Sequence, residues 1–209
     1  MHRYFKPVVF LACLGPVGRL IWLYFHGGLG ANPIEFITHS TGDWTLIFLL
    51  ITLSVTPLRK LTHLYWLISF RRMFGLFAFF YGTLHLTTYV WLDKFFDVHE
   101  MVKDITKRKF ITAGMTAFVL MIPLAVTSTK WAIRKLGKRW QLLHRLIYFS
   151  AAAGVIHYIW LVKADLKKPL EYAAVLGALL LYRVFVWAAQ RASAAAKTRT
   201  PADSILSTK

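Results

Sequence analysis

Apolar residues recur along this chain in six runs, at 8–25, 44–58, 73–92, 110–126, 146–162 and 170–189. A helical membrane crossing takes about 20 predominantly apolar residues, so each run is long enough or nearly so. The run at 44–58 is the shortest and is expected to recruit its flanks. Short links rich in Lys and Arg separate the runs, and beyond 190 the sequence turns to Ala, Ser, Thr, Lys and Pro201 without a sustained apolar stretch. The pattern predicts an all-α, polytopic membrane protein: a six-helix transmembrane domain over 1–190, then a flexible tail over 191–209. No internal repeat and no separate soluble domain is evident.

Composition agrees. A chain of 209 residues that is 57% hydrophobic, with mean hydropathy +0.50, is too apolar for a water-soluble domain. The net charge of +17 would point to nucleic acid in a soluble protein. Here the cations concentrate in alternate segments: Arg3 and Lys6, then Arg59 to Arg72, Lys130 to Arg145, and Arg191 to Lys209. By the positive-inside rule those segments and both termini are expected in the cytoplasm, with no nucleic-acid role. The first link carries no Lys or Arg, whereas the third mixes five cations with Asp93, Asp97, Glu100 and Asp104. Arg3 and Lys6 ahead of the first run resemble a leader, but the run resumes through Ile21, Trp22 and Leu23 and is expected to remain as the first span. The single cysteine, Cys13, excludes an intramolecular disulfide, a thiolate-held iron–sulfur cluster and a Cys-rich zinc site. Metal chemistry must rest on histidine or carboxylate.

Two histidines fall inside the runs, and an ionisable side chain in a span marks function by default. His85 and His157 lie 13 and 12 positions beyond Arg72 and Arg145, on two helices expected to run outward. Both therefore sit roughly 18–20 Å from the inner boundary at 1.5 Å per residue. Either ring alone is equally well an interhelical hydrogen-bonding group. The depth-matched pair favours bis-imidazole ligation of a heme suited to electron transfer. Gly82 and Gly154 would allow close backbone approach, and Thr83, Thr87 and Thr88 would offer hydroxyls to the imidazoles.

His144 stands 13 positions before His157, about 20 Å away along a helix and turned from it, unless a bulge near 151–154 corrects the phase. It is expected to serve a second cofactor or another helix face, and Arg71 and Arg72 occupy its level on the third helix. The run Lys135, Lys138, Arg139 and Arg145 around Trp140 reads mainly as a topology anchor, and also suits a flavin phosphate or an acidic partner. Arg19, inside the first span, needs a counter-charge such as a heme propionate or a lipid phosphate. His26 opens a Gly-rich turn, HGGLGANP, expected to pack over helix ends.

The segments HGGLGANP, TLSVTPLR, RRMFGLFAFFYGTLHLTTY, LAVTSTK, LGKRWQLLHRLIY and HYIWLVK, in that order, resemble the MsrQ (YedZ) family within the ferric-reductase-like transmembrane group. The resemblance implies a bacterial inner-membrane electron-transfer subunit, not itself catalytic, that binds heme b and FMN. It implies electrons taken from the quinone pool or a cytoplasmic flavin reductase and passed to MsrP. That partner is a periplasmic molybdopterin subunit that repairs oxidised methionines, with which the chain would form a heterodimer. His85 and His157 would be the axial ligands and His144 a second heme site or the point where electrons enter. Arg19, Arg71, Arg72, Lys138, Arg139 and Trp140 are the candidates to hold FMN or propionates. A stand-alone ferric or quinone reductase, or a non-redox transporter or scaffold, is the alternative.

Overall fold

A computed structural model describes residues 2–162 and 164–199; calls on residues 200–209 lie outside it. Every regular element in that range is helical. The elements are α1 (His2–Phe25), α2 (Pro33–Thr62), α3 (Ile68–Thr87), α4 (Val98–Lys107), α5 (Lys109–Val126), α6 (Lys130–Leu136), α7 (Lys138–Leu143), α8 (Leu146–Leu161) and α9 (Lys167–Arg199). A 3-10 turn at Tyr65–Leu67 leads into α3, and a π-helical turn at Thr88–Asp93 extends it. Six helical stretches among the described residues are long and apolar enough to cross a membrane: Phe5–Phe25, Pro33–Thr62, Tyr65–Asp93, Lys109–Val126, Lys138–Leu161 and Lys167–Ala194.

The second stretch is much longer than its apolar run. Its start is set by a reciprocal cap, in which Asn32 accepts from the Glu35 amide at 3.3 Å and donates to the Glu35 carboxylate at 2.9 Å, with Pro33 in the first turn. Its first three turns carry Thr38, His39, Gly42 and Asp43 because that face lines an internal cavity rather than lipid. The last helix also runs further than expected, through Arg199, into the segment read from sequence as tail.

Two antiparallel hairpins, α2 with α3 and α5 with α8, form the centre of the bundle. Leu53, Ala78, Tyr81, Thr41 and Ser150 of these helices are essentially fully buried. The Ser150 hydroxyl donates to the Ala117 carbonyl at 2.9 Å and ties α8 to α5. Outside this centre, α9 packs on α2 and α8, and α1 on α3. Both flanking helices present large apolar side chains outward, among them Trp22, Leu181 and Phe185, as lipid-facing helices do. The tie between α1 and α3 is Tyr81, whose hydroxyl accepts from the Val17 amide at 3.3 Å and donates to the Cys13 carbonyl at 2.8 Å. It thus bridges the two groups of one helical rung beside Pro16, which has no N–H of its own.

Charge is divided between the ends. Glu35, Asp43, Asp93, Asp97, Glu100, Asp104, Asp165 and Glu171 all lie in the half where α2, α5 and α9 begin; Asp203, the ninth acid, is outside the described residues. The opposite half holds Arg59, Arg71, Arg72, Arg134, Arg139, Arg145 and Arg183 and no carboxylate among the described residues. In the acidic half, Asp104 is buried and holds α4 to its neighbours through Lys94 at 2.7 Å, Arg108 at 3.1 Å and the Tyr89 hydroxyl at 3.2 Å. The Lys94 ammonium and the Arg108 guanidinium keep the Asp104 carboxyl below its ordinary value; the same bond holds Lys94 above its own.

Candidate functional site

Between the two central hairpins lies a cavity of about 520 Å³, and His85 and His157 project into it from α3 and α8. Their ring centroids are 6.0 Å apart and the planes are 79° from parallel. Each ring is anchored by its Nδ1 to a main-chain carbonyl: Thr38 on α2 at 2.9 Å for His85, and Phe110 on α5 at 2.6 Å for His157. A carbonyl only accepts, so each Nδ1 carries the proton and each Nε2 keeps a free lone pair. Neither Nε2 has a hydrogen-bond partner among the described residues. Metal-binding histidines are oriented in this way.

Glycines make room for the rings. A Cβ at Gly42 would stand 3.2 Å from the His85 ring, and one at Gly114 would stand 2.8 Å from Nδ1 of His157. Gly82 and Gly154 serve the packing between hairpins, since a Cβ there would meet Met121 at 3.0 Å and Leu46 at 2.9 Å. The threonine expectation is corrected: the Thr83, Thr87 and Thr88 hydroxyls donate to carbonyls of their own helix turn, and the imidazoles bond to main chain instead.

These features expose a repeat that contradicts the reading of a chain without one. An offset of 72 carries Thr38 to Phe110, Gly42 to Gly114, Gly82 to Gly154 and His85 to His157. Eleven such pairs, including Leu46 with Phe118 and Leu49 with Met121, line the cavity from both hairpins. The hairpins α2–α3 and α5–α8 are therefore pseudo-twofold mates facing each other across it, and the depth match of the histidines follows from that relation. Only the glycines and histidines keep their identity across the repeat among the residues that touch the rings, which left no signal in the hydrophobic pattern.

Among the described residues no three His, Cys, Asp or Glu converge where they could hold a metal ion. Two opposed imidazoles instead fit a metal that brings its own equatorial ligands. Two metal–nitrogen bonds of about 2 Å, with a ring radius of about 1 Å at each side, account for a centroid separation of about 6 Å. The cavity volume is in the usual range for a cofactor pocket, and its lining is mainly apolar. The polar lining groups Asn32, Glu35, His39, Asp43, Asp93 and Arg108 all lie toward the acidic half.

The Ferric reductase like transmembrane component family matches residues 41–155, which span both hairpins and both histidine-bearing helices up to Val155. A relative from Herminiimonas arsenicoxydans, named protein-methionine-sulfoxide reductase heme-binding subunit MsrQ, is 56% identical over 191 residues, covering 90% of this chain and 87% of its own. The chain belongs to the MsrQ family. Two further relatives with that name, from Bordetella pertussis and Rhodospirillum rubrum, are each 51% identical, covering 90% and 86% of this chain and 93% and 86% of their own lengths. No solved structure matches.

The other residues singled out in this MsrQ-family chain do not join the pair. His144 sits in the break between α7 and α8, where the chain leaves one helix for the next; α8 itself is regular through 151–154, with no bulge there to bring His144 into phase with His157. Its ring stacks on Trp140 at 3.8 Å, its Nδ1 meets the Trp140 carbonyl at 3.1 Å, and its Nε2 is buried without a hydrogen bond. Trp140 is in turn fixed by its indole N–H to the Thr127 carbonyl at 3.0 Å. The offset of 72 maps His144 onto Arg72, so no second bis-histidine pair forms among the described residues. Arg19, Arg72, Lys138 and Arg139 are exposed, whereas Arg71 is half-buried beside Arg59 and Arg183. His26 stacks on Trp22 at 4.3 Å over the end of α1.

Proposed function

We propose that this chain is the heme b subunit of a methionine sulfoxide reductase system in a bacterial inner membrane. In this reading it carries electrons from the quinone pool or a cytoplasmic flavin reductase to the periplasmic molybdopterin subunit MsrP. The observation that carries the reading is the pair of opposed imidazoles, each with its Nδ1 anchored to main chain and its Nε2 free. A heme held there by His85 and His157 would supply reversible one-electron chemistry.

The residues of the chain set the conditions for that chemistry. His85 and His157 supply neutral nitrogen ligands, and the Thr38 and Phe110 carbonyls hold both rings in one tautomer. Leu46, Leu49, Phe118 and Met121 give the pocket apolar walls. The arginine-rich half faces the cytoplasm by the positive-inside rule, so His144 and Trp140, with Lys138 and Arg139 at the surface, mark where electrons enter and where FMN binds. The polar mouth toward the acidic half faces the periplasm, where the partner subunit receives the electron.

The test is to replace His85 and His157 singly with alanine and purify the full chain in detergent. Loss of the low-spin absorption spectrum in each variant is expected. Unchanged heme content and spectrum in both would overturn the assignment.

A further inference from the structure

The link between the third and fourth spans is short at both of its joints. Its helix α4 begins four residues after the π-helical turn ends at Asp93 and stops one residue before α5 begins at Lys109. The four residues fold back rather than extend: the Phe96 amide donates to the Val90 carbonyl at 2.9 Å and the Asp97 amide to the Lys94 carbonyl at 2.8 Å. The span α5 has only 18 residues, about 27 Å at 1.5 Å per residue, against a hydrocarbon core of about 30 Å. Lys109 therefore stands at the hydrocarbon boundary, and α4, about 15 Å long, is held at headgroup level.

The sides of α4 differ in chemistry. Asp104 points into the bundle, where it is buried against Lys94, Arg108 and Tyr89. At about 100° per residue, Met101, Ile105, Val98 and Val102 follow on one side, between about 60° and 160° from Asp104. Thr106, His99, Lys103, Lys107 and Glu100 occupy the opposite side, between about 200° and 320°. The outer part of the apolar side is not packed within the chain: Val98 is 66% exposed and Val102 54%. A helix lying at the edge of a bundle in a bilayer surface has three such neighbours, protein beside it, acyl chains below and water above.

The turn before α4 points the same way. Phe95 and Phe96 both have positive φ, 47° and 63°, a region that glycine enters freely and a bulky side chain does not. Both rings are also exposed, at 77% and 62%. Making the turn calls for Gly or Asn, so two phenylalanines there serve something outside the chain. Aromatic rings just past the end of a span belong to the membrane interface.

We propose that Phe95, Phe96 and the Val98–Val102 face of α4 form a membrane-interface anchor, seated among the lipid headgroups and upper acyl chains. Tyr89, Asp93 and Arg108 line the cavity, so the anchor fixes that rim of its mouth at the bilayer surface. The anchor depends neither on heme in the cavity nor on which side of the membrane this end faces.

The test places nitroxide labels singly at Val98→Cys, Val102→Cys, His99→Cys and Lys103→Cys in the full chain, with the buried Cys13 replaced by alanine and a single size-exclusion peak as the check on folding. In nanodiscs of phosphatidylethanolamine and phosphatidylglycerol, electron paramagnetic resonance reads collisions with oxygen, which concentrates among acyl chains, and with a neutral nickel chelate, which stays in water. Labels at Val98 and Val102 should favour oxygen, at a depth of about 5–10 Å, and those at His99 and Lys103 should favour nickel. Phe95→Gly combined with Phe96→Gly suits the positive φ at both positions, so the fold should persist while the Val102 label shifts toward nickel. Nickel access at all four sites with the phenylalanines in place overturns the anchor. So does shielding of Val98 and Val102 from both reagents, whether in the chain alone or only once the proposed partner subunit is added, because protein then covers the face. A Val102 label that the glycine pair leaves unmoved overturns the part given to the two rings.

Discussion

Gly114→Ala places a methyl group against the ring that the site depends on. The added Cβ would stand 2.8 Å from Nδ1, 3.0 Å from Cε1 and 3.2 Å from Cγ of His157. Relaxed contacts between such atoms begin at about 3.5 Å, so the ring must retreat by roughly 0.7 Å. The carbonyl that anchors it belongs to Phe110, one turn earlier on the same helix, and the ring cannot leave the methyl without leaving its anchor. A 2.6 Å hydrogen bond stretched by that amount passes the limit of about 3.2 Å for a good N–H···O bond, and metal–ligand lengths hold to about 0.2 Å. Gly42→Ala is the pseudo-symmetric experiment with a smaller insult. Its Cβ would meet the His85 ring at 3.2 Å, a retreat of about 0.3 Å that leaves the Thr38 bond within range. The expected series in detergent-purified chain is full heme content and low-spin signal for a Gly177→Ala control, where nothing lies within 4 Å, weakened retention for Gly42→Ala, and loss of the low-spin signal for Gly114→Ala. Heme per protein and electron paramagnetic resonance measure it. Wild-type heme content and low-spin signal in Gly114→Ala would refute the ligand role of His157.

Two more substitutions test what holds the bundle around the site. Tyr81→Phe removes the hydroxyl that joins α1 to α3, but Val17 and Cys13 are one rung apart and can close on each other; the cost is about 1 kcal/mol. Faster amide exchange confined to α1, with an unchanged heme spectrum, is the expected result, and heme loss would show that α1 supports the cavity after all. Asp104→Asn breaks the network at the acidic end and should cost about 3 kcal/mol, at the low end for a buried partner because Arg108 is largely exposed. Because the Asp104 carboxyl is held below its ordinary value, its contribution is complete above about pH 4 and fades as acid carries it through the lower, folded value. Lys94 is held above its ordinary value, so its share persists to about pH 10 and fades above that. The variant should therefore melt lower at neutral pH and lose the acid-side decline; a melting profile parallel to wild type below pH 4 would contradict the pairing.

The hydrophobic pattern was sufficient for six spans because lipid imposes a uniform requirement on every crossing. It failed where a helix face does not see lipid. The first turns of α2 read as a polar link because Thr38, His39 and Asp43 face the cavity, and the run 44–58 is only the apolar, core-packed remainder of a helix of 30 residues. The histidines were legible because an imidazole in an apolar run has few bland explanations. Their partners were not, since the Thr38 and Phe110 carbonyls are main chain and have no side-chain signature. Arg183 lies inside the last apolar run, and its link to α2 spans 130 positions of sequence, a separation that no local pattern carries.

The pseudo-twofold relation explains why two histidines share a depth, and it also defines where direction comes from. A perfectly symmetric pair of hairpins about an axis along the membrane normal would still have two different ends, but it would line both flanks of the cofactor pocket alike. The flanks differ at the positions paired by the offset of 72: His39 with Ile111, Asp43 with Met115, and Tyr89 with Leu161. In these three the polar member belongs to the α2–α3 hairpin, and only Leu86 with Tyr158 reverses that order among the cavity-lining pairs. The α2–α3 flank therefore presents an acid, an imidazole and a phenol toward the acidic end, whereas the α5–α8 flank sets Tyr158, the repeat mate of Leu86, and Arg108 against them. In the proposed reading, an acceptor docked on that end would meet the acid and imidazole of the α2–α3 side, where Asp104 and its partners brace α4. Replacing Asp43 and His39 by their repeat mates, as Asp43→Met and His39→Ile, leaves both imidazoles and both anchors in place. Heme binding should survive, and only delivery of the electron to the partner subunit should slow.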